Sequence, residues 1–432
     1  MMKSRATILL AYPEALRVTA SAGRISTTAG SALEIFQKSD GGEKDVKLVK
    51  KVLSSGHRSV LEHQMLSVAF DGVSVMVEQF VIEFRLASYT VKSRRYVDFS
   101  EAGFVEPSGA PDGFRARMER LFANYGELLA MGVPKEDARF VLPYCFRSNF
   151  YMTLNAREFA HLVGSMVCGR GRRFPEIKML GESLAGQFEK LYPGILDQGR
   201  FLEYKEPKIQ TKFCFGAAAS GTAEILSFPD CGRILGEAIR FSGRLDGCAE
   251  LVRDARPREL ELLNFAFRVN NASLACVTHF ARHRMQSPLY MPVADALSRG
   301  NYVLPESIAG NPRARELYEG VFREEADFAA EMLEKGLRPE DISYLALSGH
   351  TADMLFSMNA RELLHFMKLR ICRRAQWEIR GIALQMLRQL AALEPELFLN
   401  YGASCLVDGR CPEGKLTCGR PVERSEITGG NA

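Results

Sequence analysis

Apolar and polar residues follow two rhythms along this chain, and each rhythm comes round twice. Thr7 to Ala11 and Glu224 to Ser227 are short and apolar and predict a strand opening each half. Met65 to Phe70, built of bulky apolar residues, predicts a further strand that ends at Asp71-Gly72, a turn signal. Val73 to Phe84 and Ser273 to His283 instead fill a helical face, and each runs into an arginine-bearing segment. Longer amphipathic helices are predicted at Phe114 to Met131 and at Arg313 to Lys335, each closing on a glycine. Further helices begin with Asn-Ala-Arg, at Asn155 to Val167 and Asn359 to Ile371, and final ones run from Glu176 to Leu191 and from Ala375 to Leu393. Strands mixed with long helices in each half imply an α+β fold.

The doubling reaches individual residues. Gly132-Val133-Pro134-Lys135-Glu136-Asp137 answers Gly336-Leu337-Arg338-Pro339-Glu340-Asp341, and Leu154-Asn155-Ala156-Arg157-Glu158 answers Met358-Asn359-Ala360-Arg361-Glu362 at the same offset. Ile8-Leu9-Leu10-Ala11-Tyr12-Pro13 is echoed more faintly by Glu224-Ile225-Leu226-Ser227-Phe228-Pro229. A period of roughly 200 residues is a domain duplication, since short solenoid repeats recur every ~20 to 50. The expected division is therefore a first domain at 1–210, a second at 211–400 and a Cys/Gly-rich tail at 401–432, with a linker near Tyr204 to Gly221.

Composition narrows the class. Hydrophobic residues at 47% and charged ones at 25% are ordinary for a soluble globular protein, and a net charge of +4 over 432 residues gives no support to wholesale nucleic-acid or membrane binding. No run approaches the ~18 apolar residues of a membrane span, and the N-terminus lacks a signal pattern, so a cytoplasmic protein is expected. Most of the ten cysteines sit singly among apolar or basic residues, where a free thiol behaves as a small hydrophobe.

Four stretches carry chemistry. Arg282-His283-Arg284 ends an apolar helix and offers rigid donors to a diphosphate or an electron-rich ring; taken alone it reads more readily as a solvated helix end that stabilises the dipole. On the helix from Asn359, Arg361 and His365 stand one turn apart beside an apolar face, either a ligand wall or an ordinary amphipathic helix. His57-Arg58-Ser59-Val60-Leu61-Glu62-His63 gathers two imidazoles and a carboxylate, but the spacing matches no zinc site and no third ligand is near, so no metal is expected there. Ser88-Tyr89-Thr90-Val91-Lys92-Ser93-Arg94-Arg95-Tyr96 presents hydroxyls and cations together, as a phosphate cradle or a polar loop.

Taken together these segments resemble the flavin-dependent thymidylate synthases. That family's signature is Arg-His-Arg, two residues, Ser, and later Ser-x-Arg-Tyr. Arg282-His283-Arg284-Met285-Gln286-Ser287 supplies its opening, while Ser88 with Ser93-Arg94-Arg95-Tyr96 supplies its later part from the other repeat. Ser59-Val60-Leu61-Glu62-His63 looks like the stretch before the signature. Ala138-Arg139, Asn359-Ala360-Arg361, and Leu369-Arg370 with Ala375-Gln376-Trp377-Glu378 look like later motifs.

The departures fall on opposite sides. In the first repeat the Arg-His-Arg position reads Glu83-Phe84-Arg85, and Met166 stands where Arg370 stands in the second. In the second repeat Leu260 to Asn264 replaces the Ser-x-Leu-Glu-His stretch, Tyr290-Met291-Pro292-Val293-Ala294 replaces the Ser-x-Arg-Tyr loop, and Ile342-Ser343 stands for Ala138-Arg139. Each repeat alone is disabled. Because family enzymes are homotetramers with sites between subunits, the resemblance implies two domains arranged as an intramolecular pseudo-dimer with one composite site, and a homodimer of the chain restoring a tetramer-like assembly.

By the same resemblance, Arg282, His283, Arg284, Asn359, Arg361, His365, Ser59 and Glu62 bind FAD. Ser93, Arg95 and Arg139 hold the nucleotide phosphate, and Arg370 is the catalytic arginine at the pyrimidine ring. The implied reaction is FAD-dependent methylation of dUMP to dTMP from methylenetetrahydrofolate, with NADPH as the reductant. A regulatory nucleotide-binding paralogue, or a methyltransferase of the same type acting on another pyrimidine, stays open, the latter because Val91 replaces an acidic residue and Glu83 stands near an expected phosphate. In the tail, Cys405, Cys411 and Cys418 could hold zinc or an iron-sulfur cluster with a fourth ligand from elsewhere; the lack of a Cys-x-x-Cys pair favours a reduced glycine-rich tail without metal.

Overall fold

The structure, a computed structural model, describes residues 3–12, 14–196, 208–243 and 247–428. Pro13, the Tyr204 to Pro207 part of the expected linker and residues 429–432 of the tail lie outside the described residues. The chain divides into two compact units: Met1–Ala130, Leu142–Thr211 and Phe328–Leu345 form unit 1, while Met131–Val141, Lys212–Asp327 and Ala346–Ala432 form unit 2. Each unit thus takes one short segment from the other half of the sequence.

Unit 1 is built on a four-stranded antiparallel sheet. Its strands are β1 (Arg5–Ala11), β2 (Met65–Ser74), β3 (Ala87–Val91) and β4 (Arg147–Asn155), in the order β1-β2-β4-β3. Helix α1 (Val75–Ile82) follows β2, α2 (Ala156–Val167) follows β4, and α3 (Pro175–Leu191) closes the repeat. Phe70 and Phe150 face each other across β2 and β4 with rings stacked at 4.5 Å, and Phe159 of α2 stacks on Phe188 of α3 at 5.0 Å. Burial of these rings drives the helices onto one sheet face.

Unit 2 repeats the plan. Strands β5 (Thr222–Ser227), β6 (Asn264–Ser273), β7 (Gln286–Tyr290) and β8 (Thr351–Asn359) pair in the order β5-β6-β8-β7, again antiparallel. Helices α4 (Leu274–Phe280), α5 (Ala360–Arg370) and α6 (Trp377–Leu393) occupy the corresponding places. Phe267 of β6 stacks on Phe356 of β8 at 5.5 Å, and Phe280 bridges Phe356 and Phe366. The mixed helix and sheet of both units is the α+β class expected.

Asp71-Gly72 does not end a strand. β2 runs on to Ser74 through a break in register between Phe70 and Val73, with Gly72 at φ 58°. The extra residue is a bulge, which sequence signals render as a turn because both need left-handed backbone. Unit 2 bulges at the corresponding place, where Asn271 takes φ 53°. In each unit a side chain of the neighbouring strand accepts from the bulged amide: Asn149 Oδ1 from Gly72 N–H at 2.7 Å, and Asp353 Oδ1 from Asn271 N–H at 2.9 Å.

The bulge delivers each strand to a capped helix. Ser74 Oγ accepts from the Val77 amide and Ser273 Oγ from the Cys276 amide, so both short helices start on a serine cap. A glutamate at the start of the last helix holds each cap in turn. Glu176 accepts from Ser74 N–H, Ser74 Oγ, Ser4 Oγ and Tyr344 Oη in unit 1, and Glu378 accepts from Ser273 N–H and Oγ in unit 2.

Candidate functional site

Helix α4 is where unit 2 begins to assemble a site. Held at its start by Ser273 and Glu378, it ends at Phe280 and releases the chain into a turn carrying Arg282-His283-Arg284 before β7 begins. The turn splits the triplet: Arg282 and Arg284 are exposed, whereas His283 is 3% exposed. Its ring packs edge-on against Phe366 at 4.8 Å and lies 6.0 Å from the His365 ring.

Both nitrogens of His283 are engaged within the protein. Arg370, the last residue of α5, donates from Nε to His283 Nε2 at 2.9 Å and from Nη2 to the His279 carbonyl at 3.3 Å. On the other side His283 Nδ1 lies 3.2 Å from Glu362 Oε1. Burial, and then the nearby Arg370 and His365, hold the imidazole well below the usual histidine range, so it is neutral. Glu362 is itself fixed, since its amide donates to the Asn359 Oδ1 that caps α5, and burial raises its carboxyl.

Outside this buried core, α5 walls a cleft of about 470 Å³. Asn359, Arg361, His365 and Lys368 line it with Met285 and Leu364, and the acidic residues Asp254, Glu261 and Glu362 also border it. Arg361 pairs with Glu261 and Lys368 with Asp408 at 2.7 Å, so the wall is charged but internally balanced. Cationic and amide donors beside apolar side chains suit a ligand with phosphates at one end and a flat ring at the other, and FAD is such a ligand.

Arg139 comes to unit 2 with the segment 131–141. It is 3% exposed, donates from Nε to the Glu136 carbonyl at 2.9 Å, and lies within electrostatic reach of Cys276 and Glu378. Arg370 acts on Cys276 as well, so both expected nucleotide-binding arginines approach the same stretch of α4. Burial pushes the Cys276 thiol well above its ordinary range, so it is not an available thiolate. Beside Arg139, Asp137 accepts from Trp377 Nε1 at 2.7 Å and Ser307 Oγ at 2.6 Å, tying this segment to the start of α6.

Unit 1 carries Ser59, Glu62, Ser93 and Arg95. Ser59 and Glu62 are exposed in a short 3-10 turn, and Glu62 pairs with Arg157. Ser93 and Arg95 stand just past β3, where Ser93 Oγ accepts from the Arg95 amide at 3.3 Å. Between them Arg94 turns inward to a buried ion pair with Glu78, under a cation-π contact with Phe146 at 5.3 Å. That buried anchor fixes the loop that displays Ser93 and Arg95. At the positions of the unit 2 cluster, unit 1 has Phe84, set edge-on to His161 at 5.1 Å, and the buried Met166. Glu83 is paired with Arg170 and accepts from Gln79, so its charge is compensated.

Glu362, Glu378 and Asp137 carry much of this geometry and stand outside the set of site residues that the sequence points to. Their signal was in the repeat, because Glu158 matches Glu362, Glu176 matches Glu378, and Asp341 matches Asp137. In the tail, Cys405 Sγ accepts from the Val422 amide while Cys411 and Cys418 are exposed; among the described residues no three or more His, Cys, Asp or Glu gather as a metal site. Among them, too, no helix is long and apolar enough to cross a membrane.

The sequence profile of the thymidylate synthase complementing proteins matches residues 8–194 and again 240–396. A flavin-dependent thymidylate synthase of Geobacter sulfurreducens is 35% identical over 167 residues, covering 38% of this chain and 72% of that protein. The enzyme of the same name from Nitratidesulfovibrio vulgaris is 34% identical over 193 residues, covering 41% and 77% respectively. A crystal structure of thymidylate synthase X from Helicobacter pylori with FAD and dUMP is similar at 21% identity and a TM-score of 0.37, covering 45% of this chain and 100% of that one. Matched in two segments that together span most of its length, the chain belongs to the thymidylate synthase complementing protein family.

Proposed function

We propose that the protein is a FAD-dependent thymidylate synthase that methylates dUMP to dTMP, with methylenetetrahydrofolate as one-carbon donor and NAD(P)H as reductant. The observation that carries this reading is the unit 2 cluster, in which Arg282 and Arg284 flank a buried histidine that holds Arg370. Arg282, Arg284, Asn359, Arg361 and His365 would hold FAD, with cationic and amide donors for its phosphates and Met285 and Leu364 against its ring. When bound, FAD supplies the hydride that completes the methyl group.

The remaining work falls to side chains. Arg370, placed at a pyrimidine carbonyl, stabilises negative charge developing there and makes the ring carbon a better electrophile. Ser93 and Arg95 grip the nucleotide phosphate, where a planar guanidinium matches phosphate geometry, and Arg139 assists. Ser59 and Glu62 complete the FAD contacts, and His283 serves the same site from beneath. With Cys276 buried and protonated, this chemistry asks for no enzyme thiolate. The inference that residues of both repeats serve one site rests on their complementary losses, since what one repeat lacks the other keeps. A cytoplasmic homodimer of the chain accompanies this reading.

The test is direct. The purified protein is expected to show flavin absorbance and to release tritium from dUMP labelled at carbon 5 when folate and NADPH are present. Flavin without tritium release would set this reading aside in favour of another pyrimidine substrate or a regulatory nucleotide-binding role.

A further inference from the structure

A guanidinium has five N–H donors and no acceptor. Because Arg370 Nε points at His283 Nε2 from 2.9 Å, that nitrogen must be the one with the lone pair, and the ring proton must sit on Nδ1. Nδ1 is the nitrogen that faces Glu362 Oε1 at 3.2 Å. The chain of contacts has one consistent arrangement of protons, from guanidinium to imidazole to carboxylate. His283 at 3% and Glu362 at 8% exposure keep water from competing for it.

We propose that Glu362 and His283 are positioning residues for Arg370: the carboxylate holds the imidazole as its Nδ1–H tautomer, and Nε2, fixed as an acceptor, sets the plane of the guanidinium. The proposal rests on the thymidylate synthase reading for the ring that Arg370 faces, while the contacts themselves are independent of it. No proton is transferred along the chain. With its lone pair committed to Arg370, His283 is neither an acid nor a base in the reaction, and it serves the site without touching a ligand.

Unit 1 shows what happens when the arginine goes. Met166 replaces it, and Phe84 replaces the imidazole. The glutamate survives as Glu158, where it lies 3.5 Å from His161 on its own helix and also keeps its cap from Asn155. Imidazole and guanidinium have been lost as a pair while the carboxylate keeps only the histidine neighbour both repeats share, His161 standing where His365 stands beside Glu362, as expected if His283 is kept for the arginine's sake.

The test compares Glu362→Gln with Glu362→Leu in full-length, flavin-loaded protein. Glutamine still offers an oxygen to Nδ1–H, whereas leucine offers nothing. Glu362→Leu is expected to lower kcat for tritium release by roughly 10²-fold, the scale of a small misplacement of a reacting group, with flavin content and melting temperature near wild type. Glu362→Gln should recover most of that loss. Equal losses in the two variants, or losses that track flavin content or melting temperature, would overturn the positioning role. A second measurement needs no turnover: nitrogen NMR of histidine-labelled protein, assigned with His283→Gln, should show Nδ1 protonated and Nε2 bare from about pH 6 to about pH 8. A ring protonated on Nε2 in the wild type overturns the relay. Absent tritium release in a wild type with the expected tautomer overturns the thymidylate synthase reading and leaves the relay standing.

Discussion

Glu378 is a carboxylate that the fold buries for the sake of its acceptors. At 5% exposure it accepts from Ser273 N–H and Oγ, and burial pushes its carboxyl up to about 7 despite those hydrogen bonds and the nearby Arg139. The folded protein therefore holds this proton over a pH range in which the unfolded chain has released it. Its contribution to stability is fully present below the ordinary carboxyl range and is lost as pH rises through about 7. Between about pH 4.5 and about pH 7 Glu378 should make the wild type lose melting temperature, with the decline levelling off above that range, and Glu378→Gln should flatten it in a differential scanning experiment. A variant with the wild-type slope would remove Glu378 as the cause. At this scale the sequence made the charged triplet legible but not its division, because which of Arg282, His283 and Arg284 turns inward is decided by Glu362 and Arg370, 79 and 87 positions away from the histidine.

Elements were read unevenly. The paired helices of the two repeats emerged close to their observed bounds, since a 3.6-residue apolar period extends over several turns. Asn155 and Asn359 were expected inside their helices and instead cap them, each accepting from the amide three residues on. The short strands fared worse. β4 and β8, central in their sheets, are not among the predicted elements, and β3 reads as a polar loop because its outward positions, Ser88 and Thr90, are polar. The alternation of buried Phe265, Phe267 and Val269 in β6 was there to be read as period two. The serine caps make a prediction of their own. Ser74→Ala and Ser273→Ala should each destabilise the protein by about 1 kcal/mol in urea unfolding, with threonine at either position costing much less. If alanine costs nothing, these hydroxyls do not hold the helix starts.

For the whole molecule, the duplication was plain from the sequence, while the composition of each compact unit was not. Contact between distant segments has no local signature, so nothing near Met131–Val141 or Phe328–Leu345 announced that these stretches group with the other half of the chain. In the proposed reading the arginine triplet that holds flavin lies in unit 2, which sets up a contrast between equivalent substitutions. Arg284→Ala is expected to lower flavin content in the purified protein, whereas Arg85→Ala, at the matching position of unit 1, should leave it unchanged; absorbance per mole of protein decides, and equal loss in both would mean that the Arg-His-Arg position of the first repeat also holds flavin. The exchanged segments have a further consequence, for the order in which the protein can be made. Unit 1 needs Tyr344, whose hydroxyl donates to the buried Glu176, yet the ribosome reaches that tyrosine only after most of the second repeat has been translated. At about 5–20 residues per second, the nascent first repeat waits on the order of ten seconds with this carboxylate short of a donor, so the repeat made first cannot be finished until most of the second has been made.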